Sequence, residues 1–135
     1  MLYFLKIRVA GFKKQPYNFT QRTLQMIIKI KTACTQGLTY SVVLDGGKGE
    51  QVDLSFVTAK IMVKRSVYDS DEDAFIVKEI VHPQSNLLYF ELQANETAYL
   101  EAGKYPIALK LFYDSGAEVV LREDTLLVTK GTFDA

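Results

Sequence analysis

Few side chains in this sequence combine the residue types and the spacing that catalysis or metal binding requires. Asp69, Asp71 and Asp73 are spaced like the first ligands of a calcium-binding loop. An EF-hand loop then needs glycine at its sixth position and glutamate at its twelfth, and here these positions are Ala74 and Ile80. We therefore expect a solvated hairpin tip, with an opportunistic cation as the alternative.

The glycine-rich segment and the histidine give no stronger indication of chemistry. Residues 45–49 contain three glycines but lack the Lys-Ser/Thr pair of a phosphate-binding loop, and no helical pattern follows them, so we expect a hairpin turn. His82 is the only histidine, and no second histidine or cysteine lies near it in sequence. Such a histidine indicates a surface loop rather than a zinc site or a catalytic triad.

Adjacent acidic residues occur at Glu72-Asp73 and Glu123-Asp124, without a histidine partner or a nucleophile motif. The sequence thus predicts a protein that is not an enzyme, with no catalytic residue, no metal and no cofactor. Its 16 basic residues balance its 16 acidic ones, so electrostatics gives no reason to expect nucleic acid or an anionic membrane as a partner.

The remaining bulk features fit synthesis in a cytoplasm. Cys34 is the single cysteine, which excludes an intrachain disulfide and makes the fold independent of oxidation. The apolar start of the chain is short and is interrupted by Lys6 and Arg8, so we expect no signal peptide. No apolar run approaches the length of a membrane span, so we expect no membrane partner either.

Strands must position these side chains, because apolar residues recur at every second position in successive stretches. The clearest apolar faces are Leu24, Met26, Ile28 and Ile30; Leu38, Tyr40, Val42 and Leu44; Val57, Ala59, Ile61 and Val63; Leu88, Phe90 and Leu92; Tyr105, Ile107, Leu109, Leu111 and Tyr113; and Val119, Leu121, Leu126 and Val128. We expect one long strand over residues 20–33, a turn at Gln36-Gly37 and a hairpin turn at residues 114–116.

The alternation of apolar and polar residues is less regular in the strand that begins at Phe75. Phe75, Val77 and Val81 form one face of a strand, with Ile76, Lys78 and Ile80 on the other. We expect most aromatic rings to point inward, namely Phe75, Phe90, Tyr105 and Tyr113. We expect four others to be exposed, namely Tyr17, Phe19, Tyr68 and Tyr99.

The first strand has two open interpretations. In Leu2–Val9, Tyr3, Leu5, Ile7 and Val9 share one face, and a polar loop follows at residues 11–18. This segment is either an ordinary edge strand or an assembly strand that pairs with a neighbouring subunit.

A short helix and a corner motif precede the last two strands. Residues 95–100 predict one helical turn with Asn95 as its cap. After it, Gly103-x-Tyr105-x-Ile107 resembles the tyrosine corner of immunoglobulin-like sandwiches, in which the tyrosine hydroxyl bonds to backbone a few residues upstream. Antibody domains have cysteine where Ile107 stands here, in keeping with a core without a disulfide.

These elements together predict an all-β, immunoglobulin-like β-sandwich of about eight strands with one short helix. We assign residues 1–135 to a single domain, with an N-terminal strand and loop over residues 1–19 and the sandwich core over residues 20–130.

The order of parts also resembles a known family. Over about residues 20–128 the chain presents Leu44-Asp45-Gly46, Val52-Asp53-Leu54-Ser55, the strands at residues 59–63 and 88–92, Glu96-Thr97, Gly103-x-Tyr105 and Asp114-Ser115-Gly116. This ordered set resembles the N-terminal domain of phage baseplate upper proteins and related immunoglobulin-like phage tail and virion proteins.

The resemblance implies a structural role in a virion, as an adaptor or decoration subunit of a tail, baseplate or head. It implies other virion proteins and further copies of the chain as partners, and a virion location after synthesis in the host cytoplasm. The alternative is a β-sandwich module that binds carbohydrate or protein, because eight tyrosines and eight phenylalanines could provide stacking surfaces. The absence of tryptophan makes a sugar platform less well supported.

Overall fold

The computed structural model describes residues 2–9, 26–44 and 53–130, and only the backbone of residues 2–9, 43 and 44. Within these ranges the chain forms eight strands: β1 (Leu2–Val9), β2 (Ile27–Lys31), β3 (Gln36–Leu44), β4 (Val57–Val63), β5 (Ile76–Val81), β6 (Leu87–Leu92), β7 (Gly103–Tyr113) and β8 (Glu118–Thr129). A single-turn helix, α1 (Ala94–Thr97), lies between β6 and β7, and a 3-10 turn spans Asp71–Asp73. No helix in the described part of the chain is long and apolar enough to cross a membrane.

The strands form two sheets of unequal width. The smaller sheet has the order β1-β3-β6 and the larger has the order β2-β8-β7-β4-β5. Most neighbours are antiparallel, but β1 runs parallel to β3 and β2 runs parallel to β8. The predicted all-β, immunoglobulin-like sandwich of about eight strands with one short helix is confirmed.

An apolar core fills the space between the sheets, because the strands whose side chains are described bury mostly every second one. The smaller sheet contributes Leu38, Tyr40, Val42, Leu88, Phe90 and Leu92, and the larger contributes residues that include Ile28, Ile30, Val57, Ala59, Ile61, Val63, Ile107, Leu109, Leu111, Leu126 and Val128. Leu100, which follows α1, also joins this core.

The turn before β3 lies earlier than the sequence indicated. Gln36 and Gly37 belong to β3 and pair with Leu92 and Glu91 of β6, so the predicted turn at these two residues is wrong. Ala33 makes the reversal instead, with a φ of +60°. Glycine commonly marks a turn, but backbone pairing with β6 holds Gly37 in the sheet.

Three other predictions fall partly or wholly outside the described residues. The described part of the predicted strand over residues 20–33 is β2, which ends at Lys31; residues 20–25 lie outside. The loops predicted at residues 11–18 and 45–49 lie outside as well.

The inward face of β5 is the reverse of the one predicted from its phenylalanine. Ile76 is buried and Ile80 packs against the core, whereas Phe75 is 44% exposed. The strand has apolar residues on both faces, so alternation alone did not identify the buried one. The other aromatic predictions agree where they can be read: Phe90 and Tyr113 are buried, Tyr105 packs against the core, and Tyr68 and Tyr99 are exposed, while Tyr17 and Phe19 lie outside the described residues.

The helix begins one residue earlier than predicted, and Asn95 is not its cap. Gln93 is the N-cap, and its backbone N–H donates to the Glu96 carboxylate at 2.8 Å. Glu96 also accepts from the Lys78 ammonium at 2.7 Å, which ties α1 to β5. Glutamate three residues after the cap is the reciprocal half of a capping box, a signal that was present in the sequence.

Candidate functional site

The residues of the predicted corner lie at the start of β7. The Tyr105 hydroxyl donates to the Glu101 carbonyl at 2.7 Å, and its ring meets Phe75 edge to face, with centroids 5.9 Å apart. Ile107 is buried in the core, and Gly103 has a φ of +154°, which side chains rarely adopt. The geometry is that of a tyrosine corner, and its role in fixing the join between the sheets stays a prediction.

Tyr105→Phe tests that role with the smallest possible change. We expect the free energy of unfolding to fall by about 1 kcal/mol, because one hydrogen bond is lost while the ring and its packing remain. Urea unfolding measures the change. Tyr99→Phe is the matched control, since Tyr99 is 87% exposed, and it should leave the stability unchanged. Equal stability of Tyr105→Phe and the natural protein would show that the hydroxyl does not hold the corner.

The candidate assembly strand is placed by its backbone. β1 follows β3 in parallel register from Leu2 opposite Gly37 to Val9 opposite Leu44, and it forms one edge of the smaller sheet. The side chains of its predicted face, Tyr3, Leu5, Ile7 and Val9, are not described. In the single chain this segment therefore lies at an edge, and its exchange between subunits stays a prediction.

The acidic segment between β4 and β5 forms an ion-paired latch. Lys64 and Lys110 donate to the two carboxylate oxygens of Asp71 at 2.6 and 2.7 Å. Asp73 accepts instead from the Ser70 hydroxyl at 3.1 Å, and the Asp69 carbonyl accepts from Lys64 at 3.0 Å. Across the described residues, no group of three His, Cys, Asp or Glu side chains could hold a metal ion.

We expect acid to destabilise this loop by protonating the Asp71 carboxylate, which both lysines contact. The hydrogen bond from Lys110, and then that from Lys64, hold the Asp71 pKa below its ordinary value of 3.8. The folded state therefore binds this proton less readily than the unfolded chain. The stabilisation is present above the ordinary pKa and is lost as the pH falls through the lowered one.

We expect Asp71→Asn to lower the free energy of unfolding by about 1 kcal/mol at neutral pH, and by less as the pH falls below the ordinary aspartate pKa. Urea unfolding at neutral and acid pH measures both effects. Glu72→Gln is the matched control, because Glu72 is a neighbouring exposed acid outside the ion pairs of the described chain. A loss that is equal at both pH values would contradict an ionic latch.

A shallow groove of about 480 Å³ lies beside the latch on the outer face of the larger sheet. Met62, Pro106 and Ala108 line it, together with the latch lysines Lys64 and Lys110. Both lysines already contact Asp71.

Two further charged pairs involve residues of β8 and of the loops after β5 and β7, and the sequence did not predict either of them. Arg122 and Asp124, in β8, form a buried ion pair with the Arg122 Nε 2.6 Å from an Asp124 oxygen. The signal was available, because Asp124 shares the inward parity of Leu126 and Val128. His82 contacts Asp114 at 3.1 Å, and both side chains are about half exposed, so His82 lies in an exposed loop as predicted.

Comparison with known proteins supports the fold. No protein-family model matches the sequence, and no curated protein matches it. The chain is similar to a solved structure described as the N-terminal domain of phage TP901-1 ORF48, with a TM-score of 0.56 and 11% sequence identity. The match covers 96% of this chain and 98% of that one, so it concerns a whole domain. At this identity the likeness shows a shared fold with a phage protein domain, and membership of the baseplate upper protein family stays a prediction.

Proposed function

We propose that this chain is a non-enzymatic structural subunit of a phage particle, located in its tail, baseplate or head, and that it assembles through protein–protein contacts. The observation that carries the proposal is the likeness, over nearly the full length of both chains, to a domain of a phage protein. The charged groups add support, because Asp71 and Asp124 contact basic partners within the domain rather than converging on a reaction centre.

The place of β1 supports assembly by exchange of the N-terminal strand. It lies at a sheet edge, so a β1 from a neighbouring copy could make the same backbone pairs with β3. Residues 10–26 separate β1 from β2, and a segment of this length spans up to roughly 55 Å when extended. The two sheets of a sandwich are only about 10 Å apart, so the connection is long enough to reach another subunit. Under this proposal the partners are further copies of the chain and other virion proteins, with no role for nucleic acid or membrane.

Quantitative mass spectrometry of purified particles, from the phage or prophage that encodes the chain, tests the function. A fixed copy number relative to tail or capsid proteins supports a structural subunit, and the ratio indicates the symmetry of the assembly. Particles that lack the chain, prepared from cells that contain it, would contradict a virion role.

Removal of residues 1–10 tests the exchange. Sedimentation equilibrium should then show the loss of any homo-oligomer that the full chain forms, while thermal unfolding reports whether the remaining sandwich is folded. A truncated protein that assembles as the full chain does would exclude strand exchange and leave the structural role to be carried by other surfaces.

A carbohydrate- or protein-binding module is the second candidate function, and exposed aromatic rings favour it. Tyr99 is 87% exposed and lies with Phe75, Asn95 and Glu96 around a cleft of about 310 Å³ at the α1 end of the sandwich. Tyr68 is 93% exposed, on the loop that carries the latch. Glycan-array binding that is lost in Tyr99→Ala or Tyr68→Ala would support this function, and a lack of binding by the natural protein would contradict its carbohydrate form.

A further inference from the structure

Among the described strands, β6 forms one edge of the smaller sheet. β6 pairs with β3, and the Val42 N–H donates to the Asn86 carbonyl at 3.0 Å just before β6 begins. Since bonded and non-bonded pairs alternate along an antiparallel ladder, the even-numbered residues of β6 direct their backbone groups toward β3. The N–H and C=O groups of Tyr89 and Glu91 therefore point to the other side, where no described strand lies.

This edge lacks the protection that the other edges have. Charged side chains, above all lysine, usually keep edge strands from pairing. The edge strands of the larger sheet carry such residues, with Lys29 and Lys31 in β2 and Lys78 in β5. β6 reads Leu-Leu-Tyr-Phe-Glu-Leu, without lysine, proline or glycine, and Glu91 is its single charge.

The unequal width of the two sheets limits the kind of partner that can pair with the β6 edge. The larger sheet has two more strands than the smaller. A second folded copy brought edge to edge with β6 would also have to fit its own larger sheet beside this one. A lone strand at the usual spacing of about 4.8 Å from β6 needs only the edge itself.

The side chains indicate the chemistry of that strand. Its inward positions would continue the rows of Leu88, Phe90 and Leu92, which are buried in the core, and should be apolar. Its outward positions would lie beside Tyr89 and Glu91. The Glu91 carboxylate accepts from the Tyr89 hydroxyl at 3.0 Å and from the Gln93 amide at 2.6 Å, both uncharged donors. Among the described side chains no cation pairs with Glu91, so a lysine or arginine of the incoming strand would complement it.

We propose that the β6 edge binds a lone extended segment of a partner protein, apolar at alternate positions and basic where it faces Glu91. The inference rests on the proposed function, because it identifies the kind of partner that such a subunit would take. It differs from the exchange of β1, which would use the edge of β3 and a second copy of the chain.

A peptide that copies residues 2–9 is a suitable probe, because Leu2–Val9 alternates apolar residues with Lys6 and Arg8. Isotope-labelled full-length protein is titrated with this peptide and followed by the NMR shifts of its amides. We expect saturable shifts at Tyr89 and Glu91, and weaker binding by a peptide in which glutamate replaces Lys6 and Arg8. Shifts confined to β3 would mean that the peptide replaces β1; they would support exchange and overturn the β6 site. No shift at millimolar peptide would also overturn it.

Proline and alanine at position 89 separate backbone from side chain. Tyr89→Pro removes an N–H that points away from β3, so the fold should persist while peptide affinity falls about tenfold or more. Tyr89→Ala keeps the N–H and should bind within a few-fold of the natural protein. If thermal unfolding shows that Tyr89→Pro is not folded, Glu91→Lys provides the test through charge repulsion. Unchanged affinity in folded Tyr89→Pro, or in Glu91→Lys if Tyr89→Pro is not folded, would overturn the proposal. Absence of the chain from purified particles would overturn the virion role alone, because peptide binding is measured separately.

Discussion

Asp124→Ala is expected to lower the free energy of unfolding by about 3–5 kcal/mol, because it leaves a buried guanidinium without its carboxylate. The Arg122 and Asp124 side chains are only 3% and 1% exposed. Asp124 accepts two hydrogen bonds from Arg122, at 2.6 and 3.0 Å, and one from the Met26 backbone N–H at 2.7 Å. A domain of this size is commonly stable by about 5–15 kcal/mol, so this one change should bring it close to unfolding at ambient temperature.

Urea unfolding of the natural protein, Asp124→Ala and a double variant distinguishes the loss of a charge partner from the loss of packing. The double variant Arg122→Met with Asp124→Leu replaces the pair by apolar side chains and should recover most of the lost stability, because no charge remains buried. Its remaining deficit should reflect the Met26 N–H, which would have no acceptor from position 124. If the single and double variants are equally unstable, the loss is one of packing and the ionic explanation is wrong.

Phe90→Ala should cost about as much, roughly 3–5 kcal/mol, for a different reason. Phe90 is buried in β6 and meets Tyr40 of β3 edge to face, with ring centroids 5.9 Å apart. Truncation removes the buried ring and leaves a cavity between sheets that β-sheet pairing prevents from closing.

Phe112→Ala is the matched control for Phe90→Ala. Phe112 points to the outer face of the larger sheet, where the Lys60 ammonium lies 4.8 Å from its ring centroid. The same deletion there opens no cavity, and we expect a loss of about 1 kcal/mol or less, set mainly by the cation–π contact. Equal losses in the two variants, measured by urea unfolding, would contradict a core located between the sheets.

Local patterns predicted much of this fold, and the reason is physical. A strand with one buried face must alternate, so the inward residues of β3, β4, β6 and β7 could be assigned without knowing their neighbours. The choice of neighbour is a long-range property. Nothing in the sequence of Leu2–Val9 indicated that β1 would run parallel to β3 in the smaller sheet. Equally, nothing in Ile27–Lys31 indicated that β2 would run parallel to β8 in the larger sheet.

In the candidate site, too, local contacts could be predicted from the sequence and long-range contacts could not. The Tyr105 hydroxyl reaches a carbonyl four residues upstream, so sequence spacing could indicate that bond. Asp71 contacts Lys110, 39 residues away, and no local spacing could relate them. The position of β6 at an edge of the described sheet is equally invisible in sequence, because it depends on which strands pair with it.

The parallel pairing of β2 with β8 also determines when this protein can fold during synthesis. Met26 and Asp124 are 98 residues apart, so β2 can find its place only after β8 has left the ribosome. Contacts of such high sequence separation slow folding and prolong the exposure of unpaired strands. We therefore expect the nascent chain to expose aggregation-prone strand edges until β8 emerges.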